Sequence, residues 1–126
     1  MISPVTEFDF PDRLRKCLLN NKKISDKVKG QVFPIIAKDG TKFPFIVYQK
    51  SNMTGVYNKD KITNYDIDID IVIFADNYAD MVYLEEAVND CMHDDFNLYS
   101  NIQLTANSEN FDSDTFYATL SYSFKL

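Results

Sequence analysis

The sequence has few of the residues from which catalytic and cofactor sites are built. Its 126 residues include one histidine, two cysteines, three glycines and no tryptophan. Gly30, Gly40 and Gly55 stand apart from one another, so the chain has no glycine-rich loop that could bind a phosphate. Cys17 and Cys91 fall in predicted helices and follow no redox or zinc spacing, so we interpret both as reduced core thiols. We therefore predict no cofactor, no catalytic residue and no enzymatic activity.

The single histidine, His93, lies in the sequence Met92-His93-Asp94-Asp95 near the predicted end of a helix. A protonated imidazole is favoured there by the helix terminus and by the neighbouring acids. A catalytic triad would need a nucleophile close by, and Cys91 lies two residues away on a different helix face. We interpret His93 as an exposed side chain at a helix end.

Long apolar runs and targeting signals are absent as well. No apolar run approaches the roughly 20 residues that cross a bilayer. Met1 to Pro11 also lacks the basic start and apolar stretch of a signal peptide. We expect one domain over residues 1–126, large enough to bury a core without disulfides or a metal, with no membrane partner and a location in the cytosol.

The net charge of −6 repels a phosphate backbone and argues against specific nucleic-acid binding. The two signs are separated along the chain. Up to Gly30 there are seven basic and four acidic side chains, a net charge of +3. From Asp60 to Asp95 there are eleven acidic side chains and only Lys61 to oppose them, a net charge of −10. One molecule therefore carries a basic region and an acidic region.

Hydrophobic periodicity predicts two helices and five strands. The predicted helices are Pro11–Asn20 and the segment from Asp76 or Asn77 to about Asp95, and the predicted strands are Gln31–Ala37, Phe43–Gln49, Ile62–Phe74, Asn101–Asn107 and Thr115–Leu126. The predicted connections include a polar segment over Ile24–Gly30, a mobile hairpin arm over Asn52–Lys61 and a polar loop over Ser108–Asp114. The order α β β β α β β indicates an α+β fold with a mainly antiparallel sheet and two helices packed on one face.

The clearest pattern is the alternation of isoleucine and aspartate before the second predicted helix. Residues 66 to 73 are Asp66, Ile67, Asp68, Ile69, Asp70, Ile71, Val72 and Ile73. Successive side chains of a strand point to opposite faces of the sheet, so the isoleucines are predicted to face the core and the aspartates to face the other side. Neighbouring aspartates on one strand would be about 6.5 to 7 Å apart, which suits a single metal ion poorly. No lysine follows an acid at a spacing of two residues, as a nuclease site would require. We interpret the aspartates as a solvated or interface surface and predict no metal site.

The order and spacing of several segments resemble the tail completion, or tail terminator, proteins of long-tailed phages and prophages. The resemblance covers nearly the whole chain, and its most specific piece is the strand Pro44-Phe45-Ile46-Val47-Tyr48-Gln49 after the Gly40 turn. Val32-Phe33-Pro34, the long third strand, Tyr78 at the start of a helix and the alternating last strand complete it. The chain departs from the family in being rich in Asp and Lys and in its Ser108–Asp114 loop.

The resemblance implies a structural protein of the virion. Such a subunit assembles as a ring, usually hexameric, although it can be a monomer in solution. The ring closes the finished tail tube, so the implied partners are the tail tube protein and the head connector protein. The implied location is the host cytoplasm during assembly and then the virion tail.

The separated charges suggest how such a ring would be built. A ring uses heterologous contacts, in which one surface of a copy meets a different surface of the next. We hypothesise that the basic and acidic regions guide this contact. The proposed interface residues are Arg13, Lys22, Lys23, Lys27, Lys29, Glu85, Glu86 and Asp90, and the residues proposed to face a lumen or a partner are Asp66, Asp68 and Asp70.

Two other classes of protein stay open at this point. Small antiparallel α+β folds host many functions, so a ligand-binding or regulatory module of bacterial origin is the main alternative. It predicts a preformed apolar pocket. A metal-dependent hydrolase that uses the aspartates is the third possibility, and it predicts binding of Mg²⁺ or Mn²⁺.

Overall fold

A computed structural model describes residues 10–94, 96 and 102–125. Within these ranges a five-stranded sheet is covered on one face by three helices, so the predicted α+β class is confirmed. The elements are α1 (Phe10–Asn20), α2 (Lys22–Val28), β1 (Val32–Pro34), β2 (Phe45–Asn58), β3 (Lys61–Ala75), α3 (Tyr78–Asp94), β4 (Gln103–Asp112) and β5 (Thr115–Lys125). The strand order is β1-β2-β3-β5-β4, and every neighbouring pair is antiparallel except β1 and β2. The element ends predicted at Asp95, Asn101 and Leu126 lie outside the described residues.

The core lies between the sheet and the helices, as the alternating pattern predicts. The inward residues of β3 are at most 1% exposed. They meet the apolar sides of α1 and α3, because a period of two on a strand and of 3.6 on a helix each place the apolar residues on one face. The buried residues of β3, β5, α1 and α3 are Ile67, Ile69, Ile71, Ile73 and Ala75 of β3, Ala118, Leu120, Tyr122 and Phe124 of β5, Phe10, Leu14 and Leu18 of α1, and Met81, Leu84, Ala87, Val88, Cys91 and Met92 of α3.

The segment predicted as a polar connection contains a helix, α2, so the prediction of two helices was wrong. Asn21 caps α2 by accepting a hydrogen bond from the Ile24 N–H at 3.3 Å. Lys29 ends it in the left-handed conformation, and its N–H donates to the Ser25 carbonyl. Only Ile24 and Val28 are buried along its seven residues. Two apolar positions are too few to produce a clear helical period in the sequence.

The first strand is shorter than predicted and runs parallel to its neighbour. β1 pairs with β2 only from Val32 to Pro34, and the chain then turns sharply at Ile35. Ile35 has a φ of +67°, and its N–H donates to the Tyr48 carbonyl at 2.8 Å. The Ile36 N–H donates to the Pro34 carbonyl at 2.7 Å, which closes a three-residue turn. A positive φ is unfavourable for a β-branched residue, so this turn holds Ile35 under strain.

Replacing Ile35 by glycine is expected to raise the free energy of unfolding by about 1 kcal/mol. Glycine adopts a positive φ at no steric cost, and little buried surface is lost because Ile35 is 72% exposed. Urea denaturation would measure the change. Ile36→Gly is the matched control, since Ile36 is equally exposed and its φ is not positive. Equal or lower stability of Ile35→Gly than of wild type would contradict the strain.

The predicted hairpin arm over Asn52–Lys61 is a hairpin, but it is built from regular strand. β2 continues to Asn58 and β3 begins at Lys61, so only Lys59 and Asp60 form the turn. Both turn residues have positive φ, as in a type I′ hairpin. Bulges at Lys50/Asn52 and Val56/Tyr57 interrupt the pairing of the two strands. Most of the arm is exposed, so its strands lack the alternation of apolar and polar residues by which a strand is recognised in a sequence.

The predicted polar loop over Ser108–Asp114 was also wrong, since β4 continues to Asp112 and only Ser113 and Asp114 turn. Every residue of β4 is exposed at the edge of the sheet. A bulge between Leu104 and Ala106 places these two residues on opposite faces, whereas simple alternation would put them on one.

Candidate functional site

The predicted aspartates lie on the sheet face opposite the helices. Asp66, Asp68 and Asp70 are half-buried and point away from the core. Asp70 accepts a hydrogen bond from the Ser121 hydroxyl at 2.7 Å. Asp66 Oδ1 lies 3.8 Å from Lys125 Nζ, too far for a good hydrogen bond, and no donor among the described residues satisfies it. These carboxylates are held beside neutral hydroxyls and one lysine on a surface open to solvent.

A cleft of about 510 Å³ lies at the Asp66 end of this face. Polar side chains from β2, β3, β4 and β5 form most of its wall. Pockets for small organic ligands are mostly apolar, so this lining is untypical of them. Over the part of the chain that the structure describes, no three His, Cys, Asp or Glu side chains converge as metal ligands would. The lining residues are Asn52, Thr54, Asp66, Asp68, Gln103, Ser123, Phe124 and Lys125.

The other end of the same face is aromatic. Phe43, Phe45, Phe74 and Tyr117 form a row across β2, β3 and β5, with successive ring centroids 5.6, 4.8 and 5.9 Å apart and the ring planes nearly parallel. The row arises because Phe45 pairs with Phe74 and Phe74 pairs with Tyr117. The face opposite the helices is therefore acidic at one end and aromatic at the other. Aromatic surface of this kind is enriched where proteins meet.

Sequence reasoning missed this aromatic row. The signal was present in the second strand, where Phe43, Phe45 and Val47 alternate with residues of the opposite face. It became a site only when pairing set three strands side by side, since Tyr117 is 72 positions from Phe45 in the chain. A pattern within one strand cannot reveal which aromatic residues stack across strands.

The basic and acidic regions adjoin within one molecule. Lys27 of α2 bonds to Asp80 of α3 at 2.8 Å and lies 5.2 Å from the centre of the Tyr83 ring. The hydrogen bond to Asp80 raises the pKa of Lys27, and the same bond, helped by Asn77, lowers the pKa of Asp80. One of the proposed interface cations is thus engaged inside its own chain.

The other proposed interface residues lie around the same pair of helices. Lys22 and Lys23 are exposed and line a cleft of about 470 Å³ with Asp90 and Asp94 of α3. Lys29 and Glu86 are exposed, whereas Arg13 and Glu85 are half-buried. The structure therefore brings Lys22, Lys23 and Asp90 together across one cleft and leaves Glu85 and Glu86 on the side of α3 that faces β4.

A hydrogen-bonded network joins α3 to the edge strand β4. Asn107 Nδ2 donates to Glu85 Oε2 at 2.9 Å, and the Tyr78 hydroxyl donates to Glu109 Oε1 at 3.0 Å. Burial, together with a hydrogen bond to Glu109 and its charge, raises the pKa of Glu85 to about 7. The bond to Glu109 also raises the pKa of Tyr78. The carboxyl groups of Glu85 and Glu109 are neighbours, and because like charges repel, one of the two is favoured to stay protonated.

Replacing Glu85 by glutamine is expected to stabilise the protein at pH 8 and to change little at pH 5. The folded-state pKa of Glu85 lies above its ordinary value of 4.5, so the stabilisation from its protonated form is complete below that value and is lost as the pH rises through about 7. Glutamine keeps the hydrogen bonds and carries no charge. Urea denaturation at both pH values measures the difference.

The matched control for this prediction is Glu86→Gln. Glu86 is exposed on the same helix, so the substitution removes the same charge from a position without the Glu109 contact. An increase in the free energy of unfolding for Glu85→Gln that is equal at pH 5 and pH 8 would contradict the retention of a proton by Glu85.

The cysteines and the histidine lie where the sequence predicts. Cys91 is buried, Cys17 is half-buried, neither forms a disulfide, and their sulfur atoms are 3.6 Å apart between α3 and α1. His93 is exposed, and its Nδ1 lies 2.9 Å from the Asn89 carbonyl oxygen. None of the described helices is long and apolar enough to cross a membrane.

Comparison with known proteins gives a structural likeness at low sequence identity. No protein-family model matches the chain, and no curated protein matches it. Among solved structures, the fold is similar to a chain in the virion of a native gene transfer agent particle, with a TM-score of 0.72 and 11% sequence identity. The match covers 89% of this chain and 90% of the other. At this identity the likeness establishes a shared fold.

Proposed function

We propose that the chain is a non-enzymatic structural subunit of a phage-like particle and that it acts there as a tail terminator. The observation that carries the proposal is the fold likeness to a chain of a gene transfer agent virion, which extends over nearly the full length of both chains. The segments on which the family resemblance depends support the finer role. Val32–Pro34 forms β1 and pairs with Ile46, Val47 and Tyr48 in the first part of β2.

In this role the subunits form a ring, most simply a hexamer, at the end of the tail tube and bind the head connector. Association is guided by the charged surfaces of α2 and α3. Because Lys27 is already bound to Asp80, the cations left for a neighbouring copy are chiefly Lys22, Lys23 and Lys29. Exposed charges mainly affect the association rate and its salt dependence.

If the aspartate end of the open sheet face lines the lumen of the ring, its charge acts on the DNA that passes through. Asp66, Asp68 and Asp70 project from one strand, and Lys125 Nζ lies 3.8 Å from Asp66 Oδ1. Such a row would repel DNA phosphates and let the genome pass without binding. The aromatic row at the other end would then contact protein, either the tube or the connector.

Electron microscopy of the purified chain with tail tubes of the same particle tests the role. We expect rings at the tube ends, and sedimentation should show whether the free chain is a monomer or a ring. Reversing Lys22, Lys23 and Lys29 to glutamate should slow assembly and change its salt dependence, whereas Lys16→Glu, at an exposed position paired with Asp12, should not. Tubes with bare ends at saturating protein would overturn the role.

The lumen assignment has a separate test. Assembled rings of the triple variant Asp66→Asn, Asp68→Asn, Asp70→Asn should retain duplex DNA that wild-type rings release. The control carries Asp39→Asn, Asp60→Asn and Asp112→Asn, which removes the same charge from exposed turns and an edge strand. Equal DNA retention by both variants would count against a lumen position for the three aspartates.

A further inference from the structure

Two isoleucine side chains are exposed to solvent at the β1 edge of the sheet. Ile35 is 72% exposed and Ile36 is 77% exposed, more than any other large hydrophobic side chain in the described ranges. Their N–H groups are fixed by bonds to the Tyr48 and Pro34 carbonyls, and Ile35 holds a strained positive φ. Strained backbone concentrates at functional sites, and exposed aliphatic pairs favour a partner. We refer to Ile35 and Ile36 as the isoleucine knob.

An apolar hollow lies near the opposite edge of the sheet, between α3 and β4. Its volume is about 270 Å³. Val82 and Leu104 form its sides and are 38% and 41% exposed, while the buried Leu120 forms its floor. Glu85, Glu86, Asn89 and Asn107 complete its lining. We refer to it as the α3–β4 hollow.

The knob and the hollow lie on one line across the sheet. Ile35 is bonded to Tyr48, Tyr48 pairs with Ile71, and Ile71 pairs with Leu120 at the floor of the hollow. Asn107 of β4 pairs with Leu120 and completes the line. When a second copy lies beside the first and is not displaced along the strand direction, the knob of the second copy is therefore level with the hollow of the first.

The surroundings of the two features have opposite charges. Exposed Lys29 precedes β1, and exposed Lys38 and Lys42 follow the knob. Gln31 holds this loop against β1 by donating to the Lys42 carbonyl at 2.9 Å. Of the two acids that line the hollow, the exposed Glu86 supplies the negative charge, and Glu85, whose pKa is about 7, adds to it above that pH. Complementary charge around an apolar contact fixes its register and disfavours other partners.

We propose that the isoleucine knob of one copy inserts into the α3–β4 hollow of the next copy. The contact joins two different surfaces, so it repeats head to tail and closes into a ring when the rotation between copies allows it. The proposal rests on the proposed function, because it identifies the subunit contact of the ring.

Cysteine cross-linking between two singly substituted chains tests the contact. Chains carrying Ile36→Cys are mixed with chains carrying Leu104→Cys and oxidised, and we expect a mixed disulfide-linked dimer. The control mixes Ile36→Cys with Tyr57→Cys, since Tyr57 is 65% exposed but lies on the hairpin arm. The parent chain gives the background from Cys17 and Cys91. We expect a yield about tenfold above the control, and equal yields would overturn the contact.

Charge exchange provides a second, independent test. Ile36→Asp buries a carboxylate beside Glu85 and Glu86, so we expect association, measured by sedimentation, to weaken by about tenfold or more. Adding Val82→Lys to the same chain places a lysine in the hollow and should restore association. Val82→Lys alone should not strengthen association of the wild-type knob. Unchanged association of Ile36→Asp would overturn the contact.

The failure of this inference differs from the failure of the proposed function. Rings at tube ends without the Ile36–Leu104 cross-link would overturn the contact and leave the tail terminator role in place. Tube ends that stay bare while the cross-link forms would overturn the role and support a head-to-tail contact between copies. Urea denaturation of the Ile36 variants separates loss of folding from loss of association.

Discussion

Replacing Ile71 by alanine will lower the free energy of unfolding by about 2–5 kcal/mol. Ile71 is fully buried at the centre of β3, between Tyr48 of β2 and Leu120 of β5. The substitution removes three carbon atoms from a region packed on both sides by strands and covered by helices. The remaining cavity can collapse little because its neighbours are held in the sheet.

Val72→Ala is the matched control for Ile71. Val72 is the next residue of the same strand, half-buried on the opposite face. Its truncation is expected to cost about 1 kcal/mol or less. Urea denaturation gives both values. An unchanged m-value, the slope of the unfolding free energy against urea concentration, shows that the variants expose as much surface on unfolding as the wild type does. Equal losses at the two positions would contradict the assignment of the core to the helix side.

Replacing Phe10 by alanine is expected to cost about 3–5 kcal/mol. Phe10 is fully buried at the start of α1, and its ring packs edge to face on Phe124 of β5, with centroids 5.4 Å apart. Phe96 meets the other side of this cluster, with its centroid 6.1 Å from that of Phe124. Loss of Phe10 removes the aromatic contact that holds the first turn of α1 to the end of the sheet.

Phe111→Ala is the control for Phe10, since it removes the same side chain from β4. Phe111 is 58% exposed, and its ring centroid lies 4.7 Å from that of Phe116. We expect a cost of about 1 kcal/mol or less. Thermal denaturation of the two variants separates them, and a larger shift for Phe111 would show that α1 is not anchored by its aromatic residue.

The stability variants and the interface variants act on different parts of the molecule. Ile71 and Phe10 are inaccessible to a neighbouring chain, whereas Ile36 and Leu104 are exposed. A variant at Ile36 that unfolds at the same urea concentration as wild type but fails to associate therefore reports on the contact. This separation makes the head-to-tail arrangement testable by measurements of stability and association alone.

Secondary structure was predictable wherever one face of an element is buried. The alternation from Ile67 to Ile73 set the direction of every side chain of β3, since a period of two leaves no other arrangement with the isoleucines inside. The same reasoning located α1, α3 and β5. It failed for α2, for the far half of β4 and for the strands of the hairpin arm, because those segments expose most of their residues and carry little apolar pattern.

The candidate sites were less predictable than the elements. The three aspartates lie on the open face, as predicted from the alternation, and their role in a lumen stays a prediction. The bond between Lys27 and Asp80 joins residues 53 positions apart, and it was not foreseen. The separation of basic and acidic residues along the chain predicted two separate surfaces, whereas the fold places α2 directly beside α3.

The buried residues of α1, α3, β3 and β5 follow from the sequence alone, because they depend on local periodicity and on the free energy gained by removing apolar side chains from water. Everything that depends on pairing between distant segments was set by the tertiary structure. The parallel placement of β1, the aromatic row from Phe43 to Tyr117, and the position of the isoleucine knob opposite the α3–β4 hollow all follow from strand order and register. Those are set by the packing of the whole sheet, which no single stretch of the chain encodes.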